Sequence, residues 1–174
     1  MKHSALKEIY LAGGCFWGIE HYLKQVTGVT DTEVGYANGH TANPTYEQVC
    51  TGRTGFVETV HVTYDPRVLP LRFLLELYFK AIDPTIMNSQ GMDIGTQYRT
   101  GVYYVDDMDE TVIRALLAQQ QSNYADPIVV ECLPLTNFYP AEAYHQDYLE
   151  KNPHGYCHLP EELFRSVRKA KPQK

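Results

Sequence analysis

The stretch KEIYLAGGCFWGIEHYLKQV, residues 7–26, decides the fold because its side-chain pattern changes in the middle. Its first half carries the β-branched and aromatic side chains that are typical of a strand. From Phe16 onward, apolar residues recur at the spacing of a helix. Gly13 and Gly14 separate the two patterns and permit a tight turn. The stretch therefore predicts a strand, a glycine turn and a helix, with Cys15 at the first turn of that helix.

The rest of the chain continues this alternation of short strands and helices. Further strands are predicted at residues 31–39, 56–66, 101–106 and 127–134. Further helices are predicted at residues 43–49, 70–82, 109–123 and 141–152. The first of these has Asn43 as its expected N-cap and Pro44 at its first helical position. Because the 174 residues show no repeat and no linker, they predict a single α/β domain, residues 1–174.

The charge of the chain argues against a nucleic-acid partner. Fifteen basic and twenty-one acidic residues give a net charge of −6, and phosphate neutralisation needs a positive face. The basic tract RSVRKAKPQK, residues 165–174, is interpreted as a solvated end. No apolar run reaches membrane-spanning length, and residues 1–14 lack the apolar region of a signal peptide. We therefore expect a cytoplasmic protein without membrane contact.

The four cysteines, Cys15, Cys50, Cys132 and Cys157, could form two disulfides, but a cytosolic chain of this size does not need them for stability. Cys132 lies in an apolar strand pattern and Cys50 ends a short helical pattern. Since free cysteine is among the most buried residue types, burial without a chemical role is predicted for both. Cys15 and Cys157 remain as candidates for chemistry.

Cys15 has two interpretations on local grounds alone. Unpaired backbone N–H groups and the helix dipole at a first turn favour a thiolate, which indicates a nucleophile. A buried cysteine in a tight turn fits the same residues. Residues 83–99 form a second candidate feature, because a stretch that long without a period is uncommon inside a domain and often belongs to a site.

Five sequence blocks, taken together, resemble the peptide methionine sulfoxide reductase A family, and they occur in that family's order. The blocks are GGCFWG (13–18), GYANGHTANPTYEQV (35–49), TGFVETVHVTYDP (54–66), DIGTQYRTGVYY (93–104) and AEAYHQDYL (141–149). The resemblance runs from about Ile9 to Cys157. It implies an α/β (α+β) fold, a two-layer sandwich with a mixed β-sheet and a ferredoxin-like core.

The resemblance also implies catalytic residues. Cys15 matches the nucleophile and Glu58 the acid that protonates the sulfoxide oxygen, a poor leaving group without a proton. Periodicity alone would place Glu58 on the outward face of its strand. Tyr46 and Tyr98 match the two tyrosines that hydrogen-bond this oxygen, since phenols are neutral donors at pH 7. Asp93 matches a supporting aspartate near the site.

The substrate wall and the recycling thiol follow from the same resemblance. Phe16 and Trp17 match the apolar wall that holds the substrate methyl group, and Gly14 permits its close approach. Cys157 matches the resolving cysteine, in a C-terminal segment expected to be flexible from about residue 152. It would condense with the Cys15 sulfenic acid to a disulfide.

The implied activity is reduction of methionine S-sulfoxide, in oxidised proteins or peptides and also as the free amino acid, with no bound cofactor or metal. Thioredoxin or another dithiol would reduce the disulfide, and the protein would act as a monomer. One departure is clear: Phe56 and Val57 replace the His-Ala that usually precedes the glutamate. His145 matches a family position, but a structural role is predicted for it.

Three other functions compete with this interpretation. A cysteine hydrolase would pair Cys15 with a histidine base, although no hydrolase motif surrounds any histidine. A metal protein would use His154, Cys157 and His158, which lack a second close ligand pair. A binding module would use an aromatic pocket for a methylated or cationic ligand, and it would tolerate Cys15→Ser.

Overall fold

The structure, a computed structural model, describes residues 5–172. Its strands are β1 Lys7–Gly13, β2 Val29–Ala37, β3 Val57–Tyr64, β4 Ser89–Gln90, β5 Asp93–Ile94, β6 Thr100–Tyr104, β7 Glu131–Pro134 and β8 Phe138–Pro140. Its helices are α1 Phe16–Lys24, α2 Tyr46–Cys50, α3 Leu71–Lys80, α4 Asp109–Gln121, α5 Tyr148–Lys151 and α6 Glu161–Lys169. Within this part of the chain, every helix is too short or too polar to cross a membrane.

Six strands form one mixed sheet in the order β7-β6-β1-β3-β2-β8. All neighbours pair antiparallel except β6 and β7, which are parallel. The four inner strands occur in the order β6-β1-β3-β2, with α1 after β1 and α3 after β3, which is a ferredoxin-like arrangement. The predicted mixed sheet and ferredoxin-like core are therefore confirmed.

Strand β1 is buried on both of its faces. Ile9 and Leu11 belong to the main core beneath the helices, whereas Tyr10 and Ala12 join a smaller cluster on the opposite face. The hydroxyl group of Tyr78 on α3 donates to the carbonyl of Ala12. This bond fixes the end of β1, from which the glycine turn leads into α1.

The glycine turn is required by close packing as well as by its backbone. A Cβ atom on Gly13 would lie 2.8 Å from Cγ2 of Ile82. Gly14 has φ +92°, and a Cβ atom there would lie 2.7 Å from Cβ of Gln90. The Gln90 amide accepts from the backbone N–H of Asp83 and donates to its carbonyl, at 2.9 and 2.8 Å. These contacts pack the first part of the predicted loop 83–99 against the glycine turn.

The prediction for the start of α2 was wrong by two residues. Thr45, not Asn43, is the N-cap, and it forms a capping box with Gln48. The Thr45 hydroxyl accepts from the Gln48 backbone at 3.2 Å, and the Gln48 side chain accepts from the Thr45 N–H at 2.9 Å. Asn43 has φ 47° and lies in the preceding turn, so Pro44 lies outside the helix.

The predicted helix over residues 141–152 was also wrong. A 3₁₀ turn at Ala143–His145 and the short helix α5 replace it. Between them, Asp147 has φ 54°, and its N–H donates to Oε1 of the buried Glu20 at 2.9 Å. The Gln146 side chain bonds both backbone groups of Val34 on β2. These contacts from distant residues outweigh the local helical pattern.

The basic tail was predicted to be a solvated end, but its first part is helical. Helix α6 buries Phe164 and Val167, and the Phe164 ring contacts His21 on α1 edge-on, 4.9 Å between centroids. Arg168 donates from Nε to Oε1 of Gln25 at 2.9 Å. Residues 173–174 of the tail, and residues 1–4 of the N-terminal stretch, lie outside the described residues.

Candidate functional site

Cys15 occupies the N-cap position of α1 and is a free thiol with 8% of its surface exposed. The backbone N–H groups of Trp17 and Gly18, at the start of the helix, are among the groups that act on the pKa of its thiol. The strand, the glycine turn and the helix predicted around Cys15 are thus all present. They place the thiol at the end of a central strand, where its position is set by the sheet.

The expectation that the helix terminus favours a thiolate at Cys15 is only half correct. The two N–H groups do lower the pKa of the thiol, but burial and then the nearby carboxyl group of Glu58 raise it by more, with a smaller contribution from Asp93. Cys15 is therefore a neutral thiol in the substrate-free protein. For Cys15 to act as a nucleophile, as the sequence predicts, its solvation would have to change or its proton would have to be transferred.

Glu58 lies on β3 with 1% of its surface exposed, opposite Tyr36 on β2. Its Oε1 atom accepts from the backbone N–H of Phe16 at 3.1 Å. Burial raises the pKa of Glu58 to about 8, and Asp93 adds to this, whereas the Phe16 N–H acts in the opposite direction. The carboxyl group is therefore mostly protonated at neutral pH. The outward orientation that periodicity alone suggested is wrong, because both faces of β3 are covered here.

Tyr98 and Tyr46 approach the same carboxyl group from two different elements. Tyr98 ends a 3₁₀ turn, and burial raises the pKa of its hydroxyl group, followed by the charges of Glu58 and Asp93. Tyr46 begins α2, and its backbone N–H donates to Oε2 of Glu142 at 2.9 Å. Burial also raises the pKa of the Tyr46 hydroxyl group. Both phenols are therefore neutral hydrogen-bond donors beside Glu58.

Asp93 joins the hairpin of β4 and β5 to the C-terminal segment. Its Oδ2 atom accepts from the hydroxyl group of Tyr156 at 2.9 Å. It is partly exposed, and its charge raises the pKa of both Cys15 and Glu58. Asp93 therefore lies at the open side of the site, where the sequence predicted a supporting aspartate.

Trp17 forms a fixed, partly exposed aromatic surface beside Cys15. Its ring stacks on Tyr148 at 3.7 Å with an interplanar angle of 7°, and its Nε1–H donates to Nδ1 of His145 at 3.0 Å. Phe16 is almost fully buried, with ring centroids 5.3 Å from His145. Of the two residues that the sequence predicted as a substrate wall, Trp17 is therefore the accessible one and Phe16 is buried behind it.

His145 contributes more to the site than the sequence indicated. It exposes 1% of its surface, and its ring contacts Tyr46 at 4.6 Å between centroids. Burial lowers the pKa of His145, which agrees with a neutral ring that accepts from Trp17. The sequence indicated His145 only through its position in the block 141–149. That position fits a packing residue and a residue that supports the site equally well.

Cys157 is half-buried beside the first turns of α1. Its sulfur lies 3.3 Å from the point where a Cβ atom on Gly18 would be, and it donates to the carbonyl of Leu159 at 3.6 Å. Cys157 and Cys15 are both free thiols. The structure therefore brings the two cysteines that the sequence singled out to the same end of one helix.

The other two cysteines differ from each other. Cys132 on β7 is buried as predicted, with 8% of its surface exposed. Cys50 was predicted to be buried but is exposed, because it ends the short helix α2 on its solvent side. Burial raises the pKa of the Cys50 thiol and the nearby Tyr46 hydroxyl group acts in the opposite direction, so Cys50 lies next to Tyr46. Sequence reasoning missed this proximity.

A metal centre built on His154, Cys157 and His158 finds no support in the geometry. Within residues 5–172, no three or more histidine, cysteine, aspartate or glutamate side chains are arranged to hold a metal ion. The titratable side chains that act most strongly on Cys15 are the carboxyl groups of Glu58 and Asp93, whereas a cysteine hydrolase would have a histidine partner there.

Comparison with known proteins identifies one family. The family model described as "Peptide methionine sulfoxide reductase" matches residues 7–174. A protein of Clostridium acetobutylicum named peptide methionine sulfoxide reductase MsrA is 55% identical over 160 residues, which cover 92% of this chain and 99% of that protein.

Solved structures agree with this assignment. The crystal structure of Mxr1 from Saccharomyces cerevisiae in reduced form matches with a TM-score of 0.85 and 41% identity, over 90% of this chain and 91% of that one. Mxr1 in complex with Trx2 matches with a TM-score of 0.61 and 29% identity, over 84% and 87% of the two chains. The chain described here belongs to the peptide methionine sulfoxide reductase family.

Proposed function

We propose that this protein is a peptide-methionine (S)-S-oxide reductase that reduces methionine S-sulfoxide to methionine by way of Cys15. The observation that carries the proposal is the buried Glu58 carboxyl group, held by the N–H of Phe16, the residue after the free Cys15 thiol. Burial raises the pKa of Glu58 to about 8, which favours its neutral form. A thiol and a neutral carboxyl group, both excluded from water, are what oxygen transfer from a sulfoxide requires.

In the first step, the Cys15 sulfur attacks the sulfoxide sulfur and Glu58 donates its proton to the oxygen. The protonated oxygen then moves from the methionine sulfur to the Cys15 sulfur as the bond between the two sulfurs breaks. Cys15 is left as a sulfenic acid, and methionine departs with an electron pair restored to its sulfur. The thiol proton of Cys15 replaces the one that Glu58 gave up. Tyr46 and Tyr98 donate hydrogen bonds to the oxygen while negative charge builds on it.

The substrate is oriented by the apolar surface of Trp17, with Phe16 behind it. Because Trp17 is held by Tyr148 and His145, this surface is fixed before the substrate binds. Gly14 permits close approach to the thiol. Asp93, at the open side, supports the site through its charge and its bond to Tyr156.

In the second step, Cys157 attacks the Cys15 sulfenic acid, and the resulting disulfide is reduced by thioredoxin or another dithiol. The location of Cys157 beside Gly18 supports this pairing, and a solved relative forms a complex with Trx2. We further propose that one domain, residues 1–174, carries out the cycle in the cytoplasm as a monomer. Its substrates are oxidised proteins or peptides, and it repairs oxidative damage in them.

The test is a dithiothreitol-driven assay on the separated S and R epimers of a methionine sulfoxide peptide. Turnover of the S epimer, lost in Cys15→Ser and retained in Cys132→Ser, supports the proposal. Equal turnover of both epimers, or of neither, rejects it. Tight binding of a methylated peptide that survives Cys15→Ser would instead favour the binding module.

A further inference from the structure

His158 lies in a slot lined by three glycines: Gly14 in the turn before Cys15, Gly18 in α1 and Gly91 between β4 and β5. A Cβ atom on Gly18 would lie 3.2 Å from both Cε1 and Nδ1 of His158. One on Gly14 would lie 3.5 Å from Nε2, and one on Gly91 would lie 3.3 Å from Cβ of His158. The absence of side chains at all three positions therefore provides the space in which the imidazole is packed.

The same slot holds the candidate resolving thiol. The Cys157 sulfur and two ring atoms of His158 all lie within 3.3 Å of the point where a Cβ on Gly18 would be. Residues 152–160 have no helix or strand of their own, so few local bonds hold this segment in place. The insertion of the imidazole among the glycines is thus one contact that holds this segment against the first turn of α1, beside the hydrogen bond from Tyr156 to Asp93.

The environment of the ring suits a neutral imidazole. Both of its nitrogens are buried, and no group of residues 5–172 meets them at full hydrogen-bonding geometry. Burial lowers the pKa of His158, while Asp93 and the carbonyl of Gly13 act weakly in the opposite direction. The ring is therefore held mainly by its shape, as an apolar side chain would be.

We propose that His158 is a positioning residue for disulfide formation: its imidazole, packed among Gly14, Gly18 and Gly91, holds Cys157 ready to attack the Cys15 sulfenic acid. This inference rests on the proposed function. In the step concerned, the Cys157 sulfur bonds to the Cys15 sulfur and the sulfur–oxygen bond breaks. The departing hydroxide takes the thiol proton and leaves as water.

The experiment measures the two steps separately in His158→Ala and His158→Gln, without a reductant. Oxygen transfer is followed as methionine formed in a single turnover, and disulfide formation as the loss of trappable sulfenic acid. We expect His158→Ala to slow disulfide formation about tenfold or more while oxygen transfer stays within about twofold, since only the approach of Cys157 is lost. The bulkier His158→Gln should recover part of the rate.

The matched control is His154→Ala, because His154 lies in the same segment but is exposed. It should leave both steps unchanged. A second measurement needs no turnover: alkylation of Cys157 in the reduced protein should become faster in His158→Ala, with the exposed Cys50 as the internal reference. The alkylation rate can be measured even if His158→Ala is less stable than wild type.

Disulfide formation at the wild-type rate in His158→Ala would overturn the inference and leave the proposed function intact. Equal slowing of both steps would also overturn it, because it would indicate a general structural role. If wild-type protein formed no Cys15 sulfenic acid or no Cys15–Cys157 disulfide, the proposed function itself would be wrong.

Discussion

The central strands and the loops around them supply different kinds of residue to the site. Glu58 lies on β3, which is paired on both sides, and Cys15 follows the end of β1, so the sheet holds both residues in almost complete burial. Tyr98, Asp93 and Cys157 lie on a 3₁₀ turn, a hairpin and an irregular segment, and all three are partly exposed.

This difference teaches how one site meets two opposed requirements. Protonating an oxygen near pH 7 needs a carboxyl group without water, and central strands exclude water best. Admitting a substrate and then a reductant needs parts that open at low cost, and loops with few buried contacts do so.

The largest effect is expected from Glu58→Gln. The amide of the variant can still accept from the Phe16 N–H but cannot release a proton, so single-turnover methionine formation should fall by roughly a hundred- to ten-thousand-fold. Glu20→Gln is the matched control, because Glu20 is also 1% exposed but bonds Thr32 and Asp147 outside the site. A rate within about twofold of wild type in Glu58→Gln would remove the acid role.

The second prediction concerns pH and stability. Because the pKa of Glu58 is raised from 4.5 to about 8 by burial, its contribution to stability is complete below pH 4.5 and is lost as pH rises toward 8. Relative to Glu58→Gln, wild type should lose on the order of 4 kcal/mol of unfolding free energy between pH 4.5 and 8. Urea unfolding of both proteins at several pH values measures this. Parallel pH profiles would mean that Glu58 is not buried as the strand places it.

The third prediction tests the loop side through Cys157→Ser. Thioredoxin-driven turnover should fall by about a hundredfold or more, while about one equivalent of methionine still forms, because oxygen transfer needs only Cys15. Mass spectrometry should find a Cys15–Cys157 disulfide in wild type and a trappable sulfenic acid at Cys15 in the variant. Cys50→Ser is the control. A disulfide from Cys15 to Cys50 in wild type would show that the exposed helix end, not the C-terminal segment, supplies the partner.

A smaller effect is expected from Tyr98→Phe. Removing one neutral donor to the developing oxygen charge should slow methionine formation about tenfold, with little effect on stability because Tyr98 is only half-buried. Tyr124→Phe, a tyrosine in the turn after α4, is the control. An unchanged rate in Tyr98→Phe would place its hydroxyl group outside the reaction.

The smallest effect is expected from Gly18→Ala, which links the two regions. The added methyl group would lie 3.2 Å from His158 and 3.3 Å from the Cys157 sulfur, so the segment must shift by a few tenths of an ångström. Disulfide formation should slow about threefold. Thermal unfolding should show no loss of stability, since alanine in a helix is more favourable than glycine by about 0.5–1 kcal/mol. A lower Tm with unchanged disulfide kinetics would contradict the packing described here.

Local sequence patterns predicted correctly those elements whose tertiary contacts favour the same structure. Strand β1 spans the predicted residues, and α1 begins at Phe16 as its periodicity indicated. The predictions were wrong where distant contacts or a stronger local cap set the structure. Thr45, not Asn43, is the N-cap of α2 because it forms the capping box. Hydrogen bonds to Glu20 and Val34 interrupt the helix that was predicted at residues 141–152. Helix α6 was not predicted, because charged residues surround its two core positions, Phe164 and Val167.

The sequence by itself predicted the central strands and the longer helices in their order, together with the glycine turn before Cys15. Through family resemblance it also named Glu58 and Cys157 as candidates for the acid and the resolving thiol. Only the tertiary structure decided their chemical state. Burial raises the pKa of Glu58 and of Cys15, and the groups that bury them come from strands and loops far apart in the chain. Periodicity describes one element at a time, whereas desolvation depends on everything packed around a group.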